Sequence, residues 1–145
     1  SEIDRLGHRE RRDSPIMVAE DSVLLSRMIA EALHKSGYAN VEMFPDGREL
    51  WNKIQIYRDE DSLDEHVAVV ITDIEMPQMD GHRLTKLIKD DEKLKKIPVI
   101  IFSSLITEEM RRKGKELGAD EQMSKPEIGR LVEVIDHLLL RVKKG

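Results

Sequence analysis

Short apolar runs alternate with longer amphipathic stretches from Pro15 to the end of the chain. IMVA (16–19), VEMF (41–44), VAVVIT (67–72) and PVIIF (98–102) read as strands, with DEQMS (120–124) as a weaker fifth. Between them the apolar positions change to helical spacing. Leu25, Met28, Ile29, Ala32 and Leu33 recur at i, i+3, i+4, i+7 and i+8, and Gly37 supplies a stop. Leu50, Trp51, Ile54 and Tyr57 form the next stripe, entered through a capping box of Asp46 and Glu49. RDEDSLDEH (58–66) reads as a polar loop. Leu84, Leu87 and Ile88 mark a short helix, and Thr107 caps another that runs to Leu117 and stops at Gly118. Ile128, Leu131, Val132, Ile135, Leu138, Leu139 and Val142 define the last helix.

Strands that are apolar throughout and alternate with helices predict a parallel sheet covered on both faces. Right-handed crossovers leave few ways to connect it. The expected fold class is therefore α/β, a doubly wound three-layer sandwich. A chain of 145 residues is too short for an eight-stranded barrel and suits one domain. Residues 1–14 are charged, lack a sustained apolar pattern and read as a linker or partly helical leader, as if cut from a longer chain.

Composition narrows the function. Hydrophobic residues make up 39% of the chain, enough for one core. The absence of cysteine excludes disulfide frameworks and thiolate metal sites and suits a cytoplasmic protein. A net charge of -5 argues against nucleic acid as a partner, and no apolar run approaches membrane-spanning length.

In a doubly wound sheet, ligands bind beyond the carboxyl ends of the strands. The first strand ends at Glu20 and Asp21, the third at Asp73, the fourth at Ser103 and Ser104, and the fifth at Lys125 and Pro126. Each has an ordinary explanation alone: Asp21 or Ser22 as a helix cap, Asp73 as a turn former, a serine as a turn residue. Their joint placement at one edge is the signal. Three carboxylates repel one another by roughly 1 to 4 kcal/mol per pair at about 4 Å, and a hard divalent cation removes that conflict. Oxygen-only ligands favour Mg²⁺, with Mn²⁺ possible, over zinc. A carboxylate beside such a cation can take a phosphoryl group, while Ser103 and Lys125 hold the phosphoryl oxygens.

These residues resemble the receiver domain of two-component response regulators. The resemblance covers Pro15 to Val142 and rests on Glu20–Asp21, on Asp73 followed by MPQMDG, on Ser103 and on Lys125–Pro126. IMVAEDSVLLSRMI and GADEQMSKPEIGRLV are similar, more narrowly, to the receivers of CheV-type chemotaxis proteins, which follow a CheW-like coupling domain. The resemblance implies a CheY-like sheet in order 2-1-3-4-5, with a receiver over residues 15–145. It implies Asp73 as phosphoacceptor for a chemotaxis histidine kinase, and a module that is not an enzyme beyond its own phosphorylation and dephosphorylation. Glu20, Asp21, Asp73 and the backbone carbonyl of Glu75 would hold Mg²⁺. Lys125 would pair with the phosphoryl group through a cis peptide to Pro126, and Ser103 would move towards it. The output would be receptor–kinase coupling or a phosphate sink.

Two readings compete with this one. A haloacid-dehalogenase-type phosphatase also forms an aspartyl phosphate, but places its nucleophile after the first strand with a second Asp two residues on, where this chain has Glu75. A degenerate scaffold receiver would lack a complete site.

The chain departs from the family pattern at Gln122, where Tyr or Phe usually stands. A rotating ring is not available, so Gln122 is expected to be solvated, with signalling through Ser103 and loop shifts. The helix after Thr107 offers only Met110 and Leu117 to the core and is expected to be weakly held. His8, His34, His66, His82 and His137 share no ligand spacing and are expected at the surface or in the leader.

Overall fold

The computed structural model describes residues 8–125 and 127–144. Its elements are α1 (His8–Asp13), β1 (Ile16–Ala19), α2 (Val23–Lys35), β2 (Val41–Phe44), α3 (Gly47–Asp59), α4 (Leu63–His66), β3 (Val69–Thr72), α5 (Gly81–Asp90), β4 (Val99–Ser103), α6 (Glu108–Leu117), β5 (Glu121–Ser124) and α7 (Ile128–Lys144). The five strands pair in parallel in the order β2-β1-β3-β4-β5. β1 and β3 are central and buried along their whole length, as their unbroken apolar sequences require.

Alternation along each strand divides the core in two. Ile16, Val18, Val69, Ile71, Ile100 and Phe102 face α2 and α7, where they meet Ile29, Leu33, Leu131 and Ile135. Met17, Ala19, Val70 and Val99 face the other way, against Leu50 and Ile54 of α3 and Leu84 and Ile88 of α5. This two-sided burial is the reason the strands carry no polar alternation.

The helix boundaries follow capping chemistry. Ser22, Asp46, Asp80 and Thr107 each accept a backbone N–H from the first turn of α2, α3, α5 and α6. Gly118 ends α6 in the left-handed region at φ 98°. At the start of α2 the cap is Ser22, which leaves Asp21 free of that duty.

Some boundaries differ from expectation. The polar stretch 58–66 is not a loop throughout: α3 continues to Asp59, and LDEH forms the one-turn helix α4. Val67 then ends α4, so β3 starts at Val69. Residues 8–13 form α1, within the stretch read as a linker or partly helical leader, which allowed for a helix there. The Lys125–Pro126 peptide lies outside the described residues. Among the described residues no helix is long and apolar enough to cross a membrane.

Candidate phosphoryl-acceptor site

The carboxyl ends of β1 and β3 lie side by side, since Ala19 pairs with Thr72 and the Asp73 N–H bonds to the Ala19 carbonyl at 3.0 Å. That register delivers Glu20, Asp21 and Asp73 to one place. Each offers a carboxylate oxygen, and these oxygens lie within 4.8 Å of one another. Asp73 and Glu20 are buried, at 6% and 2% exposure, whereas Asp21 is exposed.

Lys125 enters from the end of β5. Its Nζ lies 2.8 Å from Asp73 Oδ2 and 2.7 Å from Glu20 Oε1. The Lys125 N–H bonds to the Ser103 carbonyl at 2.9 Å, which ties the lysine to the end of β4. Burial works against the lysine's charge, but hydrogen bonds to Asp73 and Glu20 outweigh it and hold its pKa above the ordinary value. Burial pushes the Glu20 carboxyl up, although Lys125 and the Ser22 N–H pull the other way. Three carboxylates against one ammonium leave two negative charges uncompensated. A divalent cation fits that remainder, and the donor set, all oxygen, suits Mg²⁺.

The Asp73 carboxylate is held on its other side as well: Oδ1 accepts the Ile74 N–H at 2.7 Å. The loop behind it is packed tightly. The Gly81 N–H bonds to the Ile74 carbonyl at 2.8 Å, and a Cβ at Gly81 would stand 1.9 Å from the Asp73 carbonyl oxygen. The glycine of MPQMDG is thus a matter of space beneath the acceptor, and Asp80 before it caps α5. Glu75 has an exposed side chain in this loop.

Ser103 is buried at the end of β4, its hydroxyl turned to the Leu105 carbonyl at 3.4 Å, and Ser104 is exposed. Gln122 contradicts the expectation of a solvated side chain. Its Nε2 donates to the Arg111 carbonyl of α6 at 2.8 Å, and its Oε1 is buried without a hydrogen-bond partner. Gly114 makes room for it: a Cβ there would lie 2.4 Å from Gln122 Oε1. The amide occupies the underside of α6, of which only Gly114 is fully buried.

Of the histidines, His34 and His137 are exposed as expected, but His82 is not. His82 is buried on α5, with Nε2 unpaired. Burial lowers its pKa, assisted by the Lys113 charge and opposed by Asp80 and the Met110 backbone. His66 stacks on Tyr57 with ring centroids 3.9 Å apart. Spacing alone gave no sign of either. The polar side of α5 at His82 is covered by α6, and that cover is a tertiary fact.

Residues 16–136 match the response regulator receiver domain. The chain belongs to that family. It is 34% identical over 127 residues to the gliding motility regulatory protein of Myxococcus xanthus, covering 88% of this chain and 15% of that protein. It is likewise 34% identical over 124 residues to chemotaxis protein CheV2 of Helicobacter pylori, covering 86% of this chain and 38% of that one. The chain thus spans less than half the length of either relative. Among solved structures it is similar to the signal receiver domain of a signal transduction histidine kinase from Syntrophus aciditrophicus. The TM-score is 0.78 with 28% identity, over 91% of this chain and 94% of that one. The receiver family and the sheet order agree with what the motifs implied.

Proposed function

We propose that this receiver accepts a phosphoryl group from a histidine kinase onto Asp73 and works in chemotaxis signalling, in the cytoplasm, within residues 15–145. The observation that carries the reading is the pairing of buried Asp73 with Lys125 inside the carboxylate cluster of Glu20 and Asp21. In the transfer, the N–P bond of a phosphohistidine breaks and an O–P bond forms to an Asp73 oxygen. The Ile74 N–H fixes the carboxylate plane, so the acceptor is oriented before the donor arrives. Lys125 would exchange its contact with Asp73 for a phosphoryl oxygen, and Ser103 would turn its hydroxyl from the Leu105 carbonyl towards the same group.

Mg²⁺ would be held by Glu20, Asp21, Asp73 and the Glu75 carbonyl, and it supplies charge neutralisation for the incoming phosphoryl oxygens. Receptor–kinase coupling, with a CheW-like domain as partner, is the output that similarity to CheV2 favours. Gln122 would serve as the contact through which α6 senses the site.

Acetyl phosphate labelling with Mg²⁺, read by intact mass, tests the assignment. One phosphoryl group is expected on the native chain and none on Asp73→Asn. Equal labelling of both, or none on either, would sink the reading and leave a scaffold receiver.

A further inference from the structure

Asp136 sits on α7 at 1% exposure, outside the carboxylate cluster of the acceptor site. A buried carboxylate without partners is costly, and this one has two. The Tyr38 hydroxyl, itself on a fully buried ring, donates to Oδ1. Arg11 of α1 binds in a fork: its Nε donates to Oδ1 at 3.2 Å and its Nη2 to Oδ2. Contact with Asp136 raises the Arg11 pKa, and burial followed by the Asp136 contact raises that of Tyr38.

We infer that Asp136 and Tyr38 form a guanidinium-binding site whose occupant, Arg11, clasps the entering helix to α7 and makes it part of the receiver body. Three observations converge. Isolated helices shorter than about 12 residues are marginal in water, so α1, described over His8–Asp13, depends on a tertiary anchor. Only Ser14 and Pro15 separate α1 from β1, and the Pro15 carbonyl is bonded by the Ala68 N–H at 2.7 Å. The carboxylate presents two oxygens in the plane that a guanidinium fork requires and an ammonium cannot match. The consequence is mechanical. A displacement of the chain ahead of Arg11 acts on α7, the helix into which Lys125 leads. This goes beyond phosphoryl acceptance and does not depend on it.

The test is hydrogen exchange and thermal unfolding of the full chain. In Arg11→Ala, the unfolding midpoint is expected to fall, and amides of α1 to exchange at least about tenfold faster than in the native chain, beyond any acceleration in β1 and β3. Arg11→Lys should restore only part of the protection. Methylguanidinium, at concentrations far below denaturing, should raise the unfolding midpoint of Arg11→Ala more than that of the native chain, and methylammonium should not. In an Asp73→Asn background the differences between native Arg11 and its variants should be the same. Equal α1 exchange in native and Arg11→Ala chains, or equal effects of the two cations, would overturn the inference.

Discussion

At the residue scale, the site is an electrostatic balance that one ammonium keeps closed. Lys125 compensates Asp73 and Glu20, both of which are buried. Lys125→Met would leave both buried and facing each other, and breaking such a pair costs about 3 kcal/mol. Urea unfolding without metal should show that loss, and millimolar Mg²⁺ should return more stability to the variant than to the native chain. His82 is a second residue whose protonation matters. Its folded-state pKa is depressed below the ordinary 6.5, chiefly by burial, so the folded chain favours the neutral ring. Its contribution to stability is therefore complete above pH 6.5 and declines as pH falls through the lower, folded value. The stability difference between the native chain and His82→Gln should shrink as pH is lowered from neutral to acidic. A difference that stays constant across that range would refute the assignment.

At the element scale, α6 differs from the other helices in how it is attached. Its caps are sound, with Thr107 at one end and Gly118 at the other, but Met110 and Leu117 are only half-buried. The polar contact between Gln122 and Arg111, beneath Gly114, replaces part of the missing apolar anchor. Gly114→Ala alone sets two effects against each other. The helix gains about 1 kcal/mol in propensity, while the new Cβ displaces the Gln122 amide. In a Gln122→Ala background only the gain remains. The two substitutions should therefore couple by about 0.5 kcal/mol or more in a double-mutant cycle of unfolding free energies. Strict additivity would mean that the amide does not hold α6. The sequence showed a helix short of apolar anchors and, at Gln122, a departure from the family pattern. It did not show that the helix receives Gln122, because a polar side chain on a short strand carries no periodic sign of the helix that will cover it.

At the scale of the whole molecule, the sheet was legible because burial on both faces leaves an uninterrupted apolar signature, and the acceptor cluster followed because a doubly wound sheet gathers its strand ends at one edge. What stayed hidden was long-range and polar. Arg11 and Tyr38 lie 125 and 98 residues from Asp136, and nothing local to any of the three marks the partnership. The acceptor cluster has a global consequence of its own. A ligand that binds only the folded chain stabilises it by mass action, so Mg²⁺ at ten times its dissociation constant adds about 1.4 kcal/mol. For a domain of this size that is a rise of a few degrees in unfolding midpoint. The rise should follow a single saturating curve in Mg²⁺ concentration. Asp21→Asn should shift that curve to higher concentration, because it removes one of the two uncompensated charges and the only exposed carboxylate of the three. Arg11→Ala lies outside the cluster and should lower the midpoint without moving the curve. If Asp21→Asn left the Mg²⁺ dependence unchanged, the cluster would not be where the cation binds, and the balance of charges around Lys125 would need another explanation.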